Sequence, residues 1–185
     1  MRLFAAIPIT EPARSEVVAL LGRLRDAGWP VRWVGDEGLH LTLKFFGEVA
    51  PERLEVIEEA LRFAGQDTLP LPLRLGELGA FPSRHHPRIL YLGLDGPQAL
   101  ELLRDRLERG GEAIGFPPEG TPFSPHVTLG RLREGQRYPA RALEEHDRSF
   151  ERASFTGDQI VLYESILTPR GPRYEPRLTL DLGAR

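Results

Sequence analysis

Apolar and polar positions alternate along the chain with two periods, one near two and one near 3.6, and the changeovers fall at glycines and prolines. Leu3 to Ile7 is a short apolar run that predicts a strand, and Thr10, Glu11 and Pro12 supply a helix start behind it. Ala13, Val17, Leu20, Leu21 and Leu24 recur on one helical face until Gly28 and Pro30 close the pattern. His40 to Phe46 alternates among strand-forming residues and stops at Gly47, and a second helix is predicted after Pro51, with Leu54, Ile57, Leu61 and Ala64 on one side. Leu69 to Leu78 predicts a strand with Pro70 and Pro72 at its start, followed by a loop from Phe81 to Pro87. Ile89 to Leu94 is a strongly apolar strand. A third helix, opened by Pro97, carries Leu100, Leu103 and Leu107 and is expected to close at Gly110 and Gly111. Beyond a Pro- and Gly-rich connection, His126 to Leu132 predicts a strand, Ala140 to His146 a weak helix, and Gln159 to Leu167 and Arg177 to Leu182 two final strands.

Both halves share a plan: strand, helix, then a strand that begins with a histidine. His40 and His126 stand 86 positions apart, a long-period echo of the kind a duplication leaves. Variable connections and the late run of strands favour antiparallel pairing, so the expected fold is α+β, one domain over residues 1–185 made of two related lobes. A chain of 185 residues that is 41% hydrophobic can build such a core, which argues against disorder. Its longest apolar runs are far too short to span a bilayer, and the N-terminus carries Arg2 without a small-residue cleavage site, so the expected location is the cytoplasm. With zero cysteines, disulfides, thiolate metal sites and a cysteine nucleophile are excluded. A formal charge of −3 argues against a broad electrostatic groove for long nucleic acid, because such binding neutralises many phosphates. Gripping a single phosphate remains open, and apart from Lys44 every Lys/Arg position is arginine, whose planar fork suits bidentate phosphate contacts.

The chemistry sits in His40-Leu41-Thr42-Leu43 and His126-Val127-Thr128-Leu129. Side chains alternate along a strand, so each histidine shares a face with its threonine while the aliphatic residues turn to the core. If the lobes are related by an approximate two-fold, two imidazoles and two hydroxyls converge on one small ligand. Opening a cyclic phosphodiester needs that set: a base for the attacking water, an acid for the departing ribose oxygen, and donors for the phosphoryl oxygens. Histidine, with an ordinary pKa near ~6.5, serves in either role. No cluster with metal-ligand spacing is evident, and the scheme needs no metal or other cofactor. One such motif alone is common by chance, and its histidine is then usually a partly buried residue hydrogen-bonded to its neighbours; two copies in corresponding parts of the two halves argue for function.

Paired H-x-T-x strands resemble the signature of the 2H phosphoesterase superfamily. The surrounding HLTLKFFGEV and PFSPHVTLGRLR, with RLFAAIPI, HPRILYLGL, VLYESIL and GPRYEP elsewhere, resemble its RNA 2′,3′-cyclic phosphodiesterase branch, also called 2′-5′ RNA ligases. The resemblance implies a bilobal fold, two pseudo-symmetric antiparallel sheets flanking a central cleft with helices outside. It implies hydrolysis of RNA 2′,3′-cyclic ends to 2′-phosphomonoesters, with His40 as proton donor, His126 as proton acceptor, and Thr42 and Thr128 on the phosphate. It also implies a reverse 2′-5′ ligation. The expected partner is RNA with a 2′,3′-cyclic phosphate end, tRNA fragments among its sources, and the expected state is a monomer away from membranes. Other branches suggest a small cyclic nucleotide or an ADP-ribose cyclic phosphate as substrate, and a binding module that grips an RNA end without turnover is a further alternative.

Arg131 matches an arginine that this branch uses near the phosphate, but strict alternation from His126 puts it on the wrong face, so the match requires a bulge near Gly130. Lys44 and Phe46 share the facing of His40 by period two, as a phosphate contact and a base platform, or else through strand-end solvation and core packing. Phe4 is a similar choice between stacking and core. His85 and His86, as adjacent residues on an extended chain, point apart and make an awkward metal pair. His146 is expected in solvent, and Arg84 and Arg88 border the cleft if they act at all.

Overall fold

The computed structural model describes residues 1–136, 140–169 and 171–184, with side chains described outside 140–142. Among these residues the chain runs β1 (Arg2–Pro8), α1 (Ala13–Asp26), β2 (Val31–Trp33), β3 (His40–Glu48), α2 (Leu54–Gly65), β4 (Leu71–Phe81), β5 (Ile89–Asp95), α3 (Gln98–Ala113), β6 (His126–Leu132), α4 (Ala140–Asp147), β7 (Ser154–Gly157), β8 (Gln159–Thr168) and β9 (Gly171–Asp181). The α+β, two-lobed architecture expected from the sequence is present, and its two sheets are halves of one antiparallel sheet. The strand order is β7-β4-β5-β6-β3-β1-β8-β9, with β2 lying along β6. Read outward from the β6–β3 joint, both directions match: the histidine strand, then the strand that precedes it across one helix, then two more. Leu41 and Val127 are the Cα partners that join the halves.

One face of this sheet is apolar. Ala13, Val17, Leu20, Leu21 and Leu24 of α1, Ile57, Leu61 and Ala64 of α2, and Leu100, Leu103 and Leu107 of α3 are all buried, as their spacing predicts. They join Leu41, Leu43, Val127 and Leu129 in one core cluster. Each aliphatic side chain removed from water there contributes roughly 1.5–3 kcal/mol, and that burial holds the helices to the sheet.

The elements depart from the sequence expectation where tertiary packing overrides local signals. Helix α3 runs through Gly110 and Gly111 to Ala113. The reason lies in Lys44: a Cβ on Gly111 would stand 2.2 Å from Lys44 Cε, so the glycine makes room for a crossing side chain and does not end the helix. Strand β9 begins at Gly171, well before Arg177, because it is an edge strand on which Pro172 and Pro176 are tolerated. Strands β2 and β7, of three and four residues, are too short for any period to register.

Candidate active site

Both histidine strands carry a bulge at the same place. On β3, Ala6 pairs with Thr42 and Ala5 with Lys44, which leaves Leu43 as the extra residue. On β6, Tyr91 pairs with Thr128 and Leu90 with Gly130, which leaves Leu129 extra. Burial follows: Leu43 and Lys44 are both inside and Phe45 is exposed, while Leu129 and Gly130 are both inside and Arg131 is exposed. The face that holds His40 and Thr42 therefore continues with Phe45, and the face that holds His126 and Thr128 continues with Arg131. The bulge that Arg131 requires is thus present one residue before Gly130.

The same bulge removes Lys44 and Phe46 from the cleft. Lys44 is fully buried behind the sheet, where its Nζ donates to Glu108 Oε2 at 2.7 Å and to the Pro117 carbonyl at 3.2 Å. Glu108 also accepts from the Glu119 backbone N–H, and Arg104 lies 3.3 Å from its other oxygen, a charge contact without hydrogen-bond geometry. Phe46 packs edge-on to Phe116 in the core. Of the alternatives open from sequence, core packing is what both residues do.

The Leu41–Val127 pairing sets the geometry between the lobes. One step to either side, antiparallel register brings His40 level with Thr128 and Thr42 level with His126. Residues directly opposite have Cβ atoms roughly 4.5–5.5 Å apart and diagonal ones roughly 7–8 Å, so the two imidazoles flank a space about one phosphoryl group wide. All four residues are half-buried, and neither threonine hydroxyl makes a hydrogen bond within the described residues.

Each histidine is oriented from behind by the backbone two residues upstream. His126 Nδ1 lies 2.7 Å from the Ser124 carbonyl, which fixes the proton on Nδ1 in the neutral ring and leaves Nε2 with a lone pair. His40 bonds to the Gly38 backbone. Its ring is walled by Phe4 at 4.8 Å between centroids, Tyr174 at 5.2 Å and Tyr163 at 6.1 Å. Loss of water around the imidazole lowers its pKa to about 4; the Gly38 bond pulls upward and the charge of His126 pushes further down. His126 has a thinner wall, Phe81 at 5.0 Å and Tyr91 at 5.4 Å, both edge-on.

These aromatic rings are the part of the site that sequence reasoning missed. Tyr91 and Tyr163 fall within the apolar strand segments, where period alone cannot separate a cleft ring from a core ring, and Tyr174 lies in the part of β9 that precedes the strand expected from Arg177. Phe4, left between stacking and core, lies against His40 at the cleft and outside the core cluster. A glycine opposite a tyrosine on the neighbouring strand is a usable signal: Gly79 is the Cα partner of Tyr91, and a Cβ there would be 2.3 Å from the tyrosine ring. Arg131 acts across the cleft, since its charge, with that of Arg2, opposes the upward pull of burial on the Tyr174 phenol.

The other histidines lie apart. His85 and His86 are exposed, and among the described residues no group of three His, Cys, Asp or Glu side chains could hold a metal ion. His146 is half-buried edge-on to Trp29, at 5.5 Å, and not in open solvent, because α4 carries it onto the indole. Arg84 donates to the Leu78 carbonyl at 2.8 Å, while Arg88 is exposed beside β6. Among the described residues no helix is long and apolar enough to cross a membrane.

Residues 12–167 match the model of the 2′-5′ RNA ligase superfamily. The chain is 38% identical over 166 residues to the RNA 2′,3′-cyclic phosphodiesterase of Aeropyrum pernix, covering 86% of this chain and 93% of that one. It is 32% identical to the RNA 2′,3′-cyclic phosphodiesterase of Methanothermobacter thermautotrophicus, over 94% of this chain and 95% of that one. Among solved structures, TT0787 of Thermus thermophilus superposes with a TM-score of 0.82 at 27% identity, covering 98% of both chains. LigT of E. coli complexed with 3′-AMP superposes with a TM-score of 0.75 at 26% identity, covering 99% of this chain and 98% of that one.

Proposed function

The chain belongs to the 2′-5′ RNA ligase superfamily, and from that premise we propose that it hydrolyses RNA 2′,3′-cyclic phosphate ends to 2′-phosphomonoesters without a metal. It does so as a cytoplasmic monomer, one domain of two related lobes. The observation that carries this is the diagonal placement of His40 and His126 about the Leu41–Val127 pair, each with a threonine hydroxyl opposite. The names of the relatives and the 3′-AMP complex of the E. coli neighbour support a nucleotide phosphate as the occupant.

In this scheme the cyclic phosphate lies between the imidazoles, with its non-bridging oxygens on Thr42, Thr128 and Arg131. His126 Nε2 takes a proton from water as the water oxygen attacks phosphorus. The bond from phosphorus to the 3′ oxygen breaks, and His40 gives that oxygen a proton, leaving the phosphate on the 2′ oxygen. His40 is neutral in the open cleft near pH 7, since its pKa is about 4. A bound phosphate anion favours the imidazolium, so the substrate helps to load the proton that its own leaving oxygen takes up. With a 5′-hydroxyl in place of water the histidines keep these roles, His126 taking the hydroxyl proton and His40 protonating the 3′ oxygen, and a 2′-5′ linkage forms; abundant water makes hydrolysis the main direction.

The test is turnover of an oligoribonucleotide with a 2′,3′-cyclic end in the presence of chelator, with product analysis. Full activity, a 2′-phosphate product, and a loss of 100-fold or more in each of His40→Ala and His126→Ala, as expected of removing ~10²–10⁴-fold of acid–base catalysis, are predicted. Dependence on metal, a 3′-phosphate product, or activity retained in either variant would refute the scheme. Saturable binding of the RNA end with no product would make the cleft a binding module.

A further inference from the structure

Arg32 on β2 is the Cα partner of Arg131 on β6. Directly opposite residues on antiparallel strands project to one face with Cβ atoms roughly 4.5–5.5 Å apart, and like charges in that position destabilise the pair. Both arginines are exposed, and neither side chain forms an ion pair or hydrogen bond among the described residues. Arg133, two positions further on and also exposed, has an equally free side chain. The nearby carboxylate of Asp36 is already held by Arg25 at 2.9 Å. Among the described residues, most other arginines of this acidic protein have partners, including Arg62, Arg104, Arg152, Arg173 and Arg177. Two unpaired guanidiniums set side by side at a cleft rim are a fork for an anion that the protein itself does not supply.

Arg131 sits three residues past Thr128 on β6, a bulge included, or about 10 Å at the usual rise of a strand. Its long side chain can reach back to the reacting phosphate; Arg32 stands level with it on β2, on the β3 side of β6 because β5 holds the other edge, and is left for a second phosphate. On an RNA end whose 2′ and 3′ oxygens are both taken by the cyclic phosphate, the chain continues only through the 5′ oxygen. We propose that Arg32 grips the phosphodiester on the 5′ side of the terminal nucleotide, so that the cleft selects oligoribonucleotides over free cyclic mononucleotides. The inference rests on the cyclic phosphodiesterase reading above. The net charge of −3 gives the protein little long-range pull on RNA, which leaves such discrimination to local contacts of this kind.

The experiment compares kcat/KM for a nucleoside 2′,3′-cyclic phosphate lacking a 5′ phosphate with that for an oligoribonucleotide ending in the same nucleoside cyclic phosphate. In Arg32→Gln the ratio of oligonucleotide to mononucleotide is expected to fall about tenfold, through KM, as for one charged contact at an exposed rim. The slope of log(kcat/KM) against log salt for the oligonucleotide should become shallower by about 0.7, the value for one phosphate contact on a single strand. Arg32→Lys should recover part of both. An unchanged ratio, or an equal loss on both substrates, overturns the proposal while leaving the cyclic phosphodiesterase reading intact. Turnover of neither substrate by the unaltered protein removes that reading and this inference together.

Discussion

Filling the cleft with an anion should raise the proton affinity of His40. The rings of Phe4, Tyr174 and Tyr163 take water away from the imidazole and, with the charge of His126, bring its pKa from 6.5 to about 4. At about 1.4 kcal/mol per tenfold in proton affinity, the empty cleft prefers the neutral ring by about 3 kcal/mol. A phosphate oxygen carrying one charge ~4 Å away, at an effective dielectric near ~20, favours the imidazolium by about 4 kcal/mol. The two effects nearly cancel, so a saturating nucleoside 2′-monophosphate should return His40 to about its ordinary range. Proton NMR titration of the His40 ring with and without that ligand measures both values directly. A ring that already titrates near 6.5 in the empty protein, or one that ignores the ligand, would refute the account. The same shift has a sign for stability. Between pH 6.5 and about 4 the unfolded chain takes up the proton before the folded one, so stability is fully present above 6.5 and is lost as pH falls through that window. The loss is about 3 kcal/mol at most, and His40→Gln should remove it.

Two further outcomes follow from contacts behind the sheet. Lys44→Met leaves the Glu108 carboxylate in the core without its 2.7 Å partner, and unfolding by denaturant should show a loss of about 3 kcal/mol, most of it recovered by Lys44→Met combined with Glu108→Gln. A loss under about 0.5 kcal/mol would mean that the pair is solvated. Gly130→Ala places a methyl 2.5 Å from Val31 Cγ1 and 2.9 Å from Trp33 Cε3, so β2 must shift, and about 1–3 kcal/mol of stability should go with it. An unchanged melting temperature would show that this strand is not closely packed on β6.

Much of this was legible because the chain obeys the simple periods over long stretches. The apolar spacings of α1, α2 and α3 give their buried faces directly, and the H-x-T-x strands give the facing of His40, Thr42, His126 and Thr128. What was not legible required a partner strand. Nothing local distinguishes the Gly110–Gly111 pair as a gap for Lys44 from the same pair as a helix end. Likewise, Tyr163 and Tyr174 become walls of His40 only because β8 and β9 extend the sheet beyond β1. Three-residue β2, the strand that carries Arg32, is defined by its pairing to β6 and by no pattern of its own.

The matched bulges explain how a repeated motif yields an asymmetric cleft. Without them, the fourth and sixth positions after each histidine would face the ligand: Lys44 and Phe46 on one lobe, Gly130 and Leu132 on the other. With an extra residue at Leu43 and at Leu129, the fifth position faces it instead. That position is Phe45 on one lobe, 40% exposed with the Arg2 guanidinium 5.0 Å over its ring, and Arg131 on the other. The displaced fourth positions do separate work behind the sheet. Lys44 ties β3 to α3 and to the segment that leads into β6, so the two histidine strands share an anchor. Gly130 lets β2 lie close along β6, which is what sets Arg32 beside Arg131. Histidines and threonines thus remain symmetric about the central pair, as the proposed two-sided approach to a phosphoryl group demands, while the next cleft position is the aromatic Phe45 on one lobe and the cationic Arg131 on the other. A substrate with a base at one end and a phosphate chain at the other meets, in that difference, the reason to bind in one direction.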